Sequence, residues 1–244
     1  MSKIIMTGCC SSFGKTVREH LESQGHTVFG VGLSGPDYGI DFTELNGQEI
    51  ESEVNHIFAK AFDALDGGPD ILINNAGITK IDFLEEHKLQ DFEQVMKVNL
   101  TWPFMLCKGF VHNYTPRPLA RIINVSSMGA TMALRASPGY CASKAGIEML
   151  TKQLAKEFAG RHKIITCCIA PGGVEDTGMV QLAVDELQRT RGMTKEQAEA
   201  YNKQSPLGRN MRHDELVQIF DFAVNSMPEY MSGTVLKCTG GMGL

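Results

Sequence analysis

Short apolar runs and longer amphipathic stretches alternate along the whole chain. Residues 3–7 are an apolar run with β-favouring side chains, and 13–24 follow with Val17 and Leu21 at helical spacing and Gly25 as a stop. Residues 26–33 predict a strand through Val28, Phe29 and Val31, while 34–48, rich in Gly, Pro and Asp, leave no room for a full helix. Ile50, Val54, Ile57, Phe58, Ala61 and Leu65 recur with helical period over 50–65. The pattern then predicts strands at 70–74, 121–126, 163–170 and 234–238. It predicts helices at 89–113, 138–160 and 214–225, and one or two amphipathic helices over 178–203.

Strands alternating with helices of this length build parallel β-α-β units, with helices covering both faces of the sheet. No Ser/Gly/Pro-rich linker, repeat or low-complexity tract interrupts the 244 residues. The expected architecture is a single doubly wound α/β domain of six to seven parallel strands spanning 1–244. In such sheets ligands bind beyond the carboxyl ends of the strands, so the residues just after each strand carry the interest.

Composition narrows the class. The chain is 43% hydrophobic and 21% charged, with a formal charge of −5, which argues against a general nucleic-acid or membrane binder. No apolar stretch is long enough to span a bilayer, and the first residues lack a secretory pattern. The seven cysteines are odd in number and form no C-x-x-C or zinc spacing. They read as free thiols in a reducing cytoplasm, and no metal site is expected.

Modest signals fall at successive strand ends. Thr7-Gly8-Cys9-Cys10-Ser11-Ser12-Phe13-Gly14 leads from the first strand into a helix, whose N-terminal amides suit a phosphate. Asn74-Asn75-Ala76-Gly77 follows the strand at 70–74, with Asn side chains able to tie strand ends together. Ser126 and Ser127 follow the strand at 121–126. Tyr140 and Lys144 lie four apart on the next helix and share one face. A cation beside a phenol favours the phenolate, which lets a tyrosine exchange a proton with an alcohol or ketone oxygen. Pro171-Gly172-Gly173-Val174 lets backbone pass close to a ring. Each alone reads equally well as an ordinary turn or cap; their alignment on one sheet edge does not.

With these residues in place, the chain resembles a short-chain dehydrogenase/reductase, of the branch containing bacterial 3-oxoacyl-carrier-protein reductases. Thr7-Gly8 to Gly14 resembles the family's cofactor loop, and Asn74-Asn75-Ala76-Gly77 its N-N-A-G motif. The resemblance implies a catalytic set of Asn99, Ser127, Tyr140 and Lys144. It implies a dinucleotide held by Gly8, Ser11, Ser12, Phe13, Gly14, Asp41, Asn75, Ala76, Gly77, Tyr140, Lys144, Pro171, Gly172 and Val174. The segments 205–209 and 233–241 resemble the branch's closing motifs. Three positions depart from the family. Ser12 replaces the middle glycine of the loop, Thr177 stands one step late, and Gly32-Leu33-Ser34-Gly35 offers neither an acid for NAD nor an Arg for NADP. Without the acid a phosphate meets no repulsion, so NADP(H) is slightly preferred over NAD(H).

The implied function is ketone–alcohol interconversion on a small-molecule or thioester-linked substrate. The substrate is a 3-oxoacyl thioester, or else a sugar, polyol, steroid or other secondary alcohol; a non-catalytic nucleotide-binding scaffold is the third reading. Residues 178–205 fall where the family keeps its substrate lid, with Met179, Val180, Leu182, Val184, Leu187 and Met193 as pocket or helix-core residues. Met132 and Leu134 would form the opposite wall. Arg117, Arg121 and Arg161 are candidates to meet an acidic carrier. A homotetramer is implied through 89–113, 138–160 and 234–238, with Phe104, Met105, Phe110, Met149 and Leu150 as interface or core.

Overall fold

The computed structural model describes residues 1–116, 120–203 and 205–243; the side chain of Ser12, and Arg117 with it, lie outside the described set. Seven parallel strands form one sheet: β1 (Lys3–Thr7), β2 (Thr27–Gly32), β3 (Tyr38–Gly39), β4 (Ile71–Asn74), β5 (Ala120–Val125), β6 (Ile164–Pro171) and β7 (Thr234–Cys238). Their order is β3-β2-β1-β4-β5-β6-β7. Every residue of β4, β5 and β6 is buried, which is why these strands read as continuous apolar runs rather than as alternation.

Alternate side chains feed two cores. Ile5, Leu72, Ile122 and Ile164 face α2 (Gln48–Ala64) and α4 (Trp102–His112), where Phe58, Trp102 and Phe110 are buried. Ile4, Ile71, Ile123 and Ile165 face α1 (Ser12–Ser23) and α8 (His213–Asp221), with Val17, Leu21, Leu216 and Phe220. The chain crosses between β1 and β4, so the crevice outside their carboxyl ends is the switch point where α/β sheets bind ligands.

The remaining helices are α3 (Leu89–Met96), α5 (Pro138–His162), α6 (Gly178–Arg191) and α7 (Lys195–Asn202). Two segments sharpen the pattern's expectation and one differs from it. The segment 34–48 holds a two-residue strand, β3, with no helix before it. The region 178–203 is two helices, with Gly192 in left-handed conformation between them. The helix expected over 89–113 is α3 and α4 joined by a π-helical turn, Lys97–Thr101. Pro103 explains the widening, because it has no N–H to give the Asn99 carbonyl four residues back and its ring crowds that carbonyl.

Candidate active site

The phosphate-loop candidate is tightly determined. Gly8 has φ +66, and a Cβ there would lie 2.8 Å from the Ala76 Cα. A Cβ on Gly14 would lie 2.1 Å from the Gly8 carbonyl oxygen. Ser11 closes the turn by donating its hydroxyl to that carbonyl at 2.8 Å and then precedes α1. Phe13 packs into the core beneath.

Buried polar side chains stitch the neighbouring strand ends. The Thr7 hydroxyl accepts from the backbone amides of Asn75 and Ala76, both at 3.0 Å. Asn75 Nδ2 donates to the carbonyls of Thr7 (3.1 Å) and Gly8 (3.0 Å). Asn74 donates to Asn124 Oδ1 at 2.8 Å, and Asn124 donates to the Thr151 hydroxyl of α5 at 2.9 Å. The tie expected of the Asn residues is therefore present and reaches across β1, β4, β5 and α5.

The four expected catalytic side chains converge on this edge. Ser127 precedes a 3-10 turn (Met128–Ala130), and its hydroxyl accepts from the Gly129 amide at 3.1 Å. Tyr140, in the first turn of α5, is 8% exposed, with its ring against Gly129. Lys144, one turn later, is 3% exposed and donates to the Val125 carbonyl at 2.9 Å. Its ammonium lies 5.7 Å from the centre of the Tyr140 ring. Asn99 sits in the π turn, donates to the Ile78 carbonyl at 2.9 Å, and accepts from the Ile78 amide at 2.9 Å. A Cβ on Gly77 would lie 3.3 Å from Lys144 Nζ and 3.4 Å from Asn99 Oδ1, so the bare glycine keeps open a space bounded by both polar groups.

Electrostatics correct one expectation. The lysine was expected to lower the phenol; instead burial pushes Tyr140 above its ordinary value, with Ser127 pulling it part of the way back. The same burial pushes Lys144 down to about 8, and its ammonium is turned onto a carbonyl. Desolvation is the leading cause in both groups.

Other positions fall into place or out of it. Asp41 Oδ1 accepts from the Thr43 amide (2.8 Å) and hydroxyl (2.7 Å), which holds its carboxyl below the usual range. Pro171 ends β6, the Gly172 amide donates to Cys238 at 3.0 Å, and Val174 is buried beside Met211. Thr177 caps α6, donating to the Val174 carbonyl at 2.9 Å and accepting from the Val180 amide. In the lid, Val184 is buried, while Met179 and Leu182 are exposed. The Tyr140 hydroxyl points at Met179 Sδ, 3.7 Å away. Arg121 is not a carrier-facing residue: it is buried and donates to the Met227 carbonyl at 2.9 Å. Phe110 is core, whereas Phe104 and Met149 are exposed. Sequence reasoning missed the buried Glu148, which accepts from Ser126 at 3.0 Å, and the π turn, for which Pro103 was the available signal.

Residues 2–188 match the short chain dehydrogenase family, and the chain belongs to it. It is 31% identical to a 3-oxoacyl-acyl-carrier-protein reductase of Aquifex aeolicus, covering 98% of this chain and 96% of that one. An actinorhodin polyketide ketoreductase with NADPH superposes with a TM-score of 0.87 at 23% identity, covering 99% and 97% of the two chains. The ligand-free aldohexose dehydrogenase of Thermoplasma acidophilum gives 0.82 at 22% identity, covering 98% and 92%. At those identities the two structures establish the fold alone. The family membership makes this chain an NAD(P)-dependent oxidoreductase acting on CH–OH groups and the corresponding ketones.

Proposed function

We propose that the protein reduces the keto group of a 3-oxoacyl thioester, with Tyr140 as proton donor and NADPH as the preferred reductant. The observation that carries this reading is the meeting of Tyr140, Ser127, Lys144 and Asn99 beside the glycine-lined sheet edge. The relative from Aquifex aeolicus supports the substrate class.

The bound dinucleotide supplies the hydride. Gly8, Ser11, Phe13 and Gly14, with the Ser12 backbone, hold its phosphates at the start of α1. Asn75, Ala76, Gly77 and Asp41 would help to hold it, with Pro171, Gly172 and Val174 on the neighbouring strand end. Ser127 donates to the substrate carbonyl and orients it. Tyr140, kept protonated by burial, gives its proton to that oxygen as the alcohol forms. Lys144 binds the ribose hydroxyls, and Asn99 anchors the inner end of a proton relay.

The lean toward NADPH rests on the absence of a carboxylate in Gly32-Leu33-Ser34-Gly35. Asp37, just beyond, is turned onto Arg18 at 3.2 Å and onto the Gly30 amide at 2.7 Å. We read the chain as one domain working in the cytoplasm, in keeping with its seven free cysteines. Among the described residues no helix is long and apolar enough to cross a membrane. A homotetramer through α4, α5 and β7 would cover Phe104 and Met149, and sedimentation tests it.

The deciding experiment is NADPH and NADH oxidation with an acetoacetyl thioester, run beside a panel of ketones and sugars. Thioester-dependent oxidation with a lower KM for NADPH is expected. Turnover of sugars alone would replace the substrate assignment, and a strong NADH preference would overturn the cofactor assignment.

A further inference from the structure

The β1–α1 turn carries two adjacent thiols that the reaction does not use. Cys9 and Cys10 place their sulfurs 3.8 Å apart. Cys10 is exposed and donates to the Ser34 carbonyl at 2.9 Å, linking this turn to the end of β2. Cys9 is 2% exposed, its sulfur packed on Gly30, where an added Cβ would lie 2.5 Å from both Cys9 Sγ and Arg18 Nη1.

We propose that Cys9 and Cys10 are an oxidative modification site: a two-electron oxidant such as hydrogen peroxide joins them in a disulfide, and the joined pair weakens dinucleotide binding. The proposal rests on the reading that this turn holds the dinucleotide phosphates. In the first step the Cys10 sulfur attacks one peroxide oxygen, the O–O bond breaks, and Cys10 becomes a sulfenic acid as water leaves. In the second, the Cys9 sulfur attacks the Cys10 sulfur, the S–O bond breaks, and a second water leaves. Two thiols and one peroxide give one disulfide and two waters.

The surroundings dictate which part moves. A disulfide needs its sulfurs about 2.05 Å apart. Cys9 is walled in by Gly30 and Arg18, so Cys10 must travel and give up the Ser34 carbonyl. Gly8 has no slack, because its carbonyl already accepts from Asn75 Nδ2 at 3.0 Å and from the Ser11 hydroxyl at 2.8 Å. The displacement therefore passes to Ser11, which is bonded to Gly8, and to the first amides of α1. The other adjacent pair, Cys167 and Cys168, is buried in β6 on opposite faces and is closed to oxidant. Cys107 is also buried; Cys141 and Cys238 sit on separate elements.

The test treats the full-length chain with hydrogen peroxide, maps thiols by peptide mass, and titrates NADPH by fluorescence before and after. Expected are a Cys9–Cys10 link, a tenfold or greater loss of NADPH affinity, recovery with dithiothreitol, and slower linking when NADPH is bound first. Cys10→Ser and, separately, Cys9→Ala should each show the same affinity before and after oxidant. Linked protein that binds NADPH as tightly as reduced protein, or oxidation of Cys10 with no link, would overturn the proposal. Reduced protein that binds neither dinucleotide would instead overturn the functional reading beneath it.

Discussion

The carboxyl edge of the sheet and the α6–α7 pair, which we propose as a substrate lid, meet where Met179 approaches Tyr140 but are held in opposite ways. At the sheet edge, Thr7, Asn74, Asn124, Ser143, Lys144 and Thr151 are all buried, and each is hydrogen-bonded across elements far apart in sequence. Within α6 and α7 only Val184 and Ala198 are buried. Lid hydrogen bonds such as Gln181 to Asp185 and Thr190 to Glu186 are local, spanning one helical turn. Two contacts tie it to the body near the crevice: Met179 at Tyr140, and Arg189 against Asp82 and the Ile81 carbonyl. Reacting groups need fixed geometry, whereas a surface that admits a variable substrate tail needs a low cost of opening. On the proposed function, the difference leaves chemistry to the sheet edge and substrate selectivity to α6 and α7.

The largest effect expected is alkaline unfolding governed by buried thiols of the sheet and of α4. Burial pushes the Cys107, Cys167 and Cys168 thiols from 9.0 up to about 12. A group raised in the folded state stays protonated there while the unfolded chain ionises. Its stabilisation is thus full below pH 9 and is lost as pH climbs toward 12, at up to about 1.4 kcal/mol per pH unit for each thiol. Lys144, depressed to about 8, acts the other way above that pH, but it is one group against several, since Cys9 and Cys238 are also raised to about 11 and Tyr38 to about 12. Denaturant unfolding at pH 8, 9, 10 and 11 should show a steep fall above pH 9 that Cys167→Ala makes shallower. A flat profile over that range would remove the idea that buried thiols dominate.

Next in size is Tyr140→Phe. Removing the hydroxyl should lower turnover about 10³-fold. Dinucleotide affinity should stay within about threefold, because the ring keeps its packing on Gly129. In the wild type, alcohol oxidation should climb with pH further into the alkaline range than reduction does, since burial holds the phenol above its ordinary value. Near-normal turnover by the variant would take the proton-transfer role from this residue.

The same contrast decides what the sequence could reveal. Buried strands announce themselves through continuous apolar runs, and β1 matches its pattern-based bounds at both ends, as does the half-buried β7. Strand-end motifs are local, so Ser127, Tyr140, Lys144 and Asn75 could be placed before any coordinates. The rest depended on long-range partners. Whether Arg121 faces a carrier or the interior is decided by Met227, over a hundred positions away. The direction of the Tyr140 shift depends on burial, which no spacing of Tyr and Lys encodes. Phe104 and Phe110 look alike in sequence, yet one is exposed and the other is core.

Thr7→Val tests the sheet edge directly. Valine keeps the shape but deprives the Asn75 and Ala76 amides of their acceptor. An unsatisfied buried donor costs roughly 1–3 kcal/mol, so the variant should lose about 2–4 kcal/mol of stability and some dinucleotide affinity. Urea unfolding measures it, and a loss under about 0.5 kcal/mol would mean that the stitching is redundant.

The smallest effect belongs to the lid. Met179 is 36% exposed, and its one described polar contact is the 3.7 Å approach of the Tyr140 hydroxyl. Met179→Ala should leave stability within about 0.5 kcal/mol, as surface changes usually do. It should shift KM several-fold between short and long acyl thioesters while kcat stays within about twofold, because ground-state and transition-state binding of the tail change together. A tenfold fall in kcat at unchanged KM would place the thioether among the groups that fix the reacting atoms. The lid would then belong with the sheet edge, and the division between the two regions would fail.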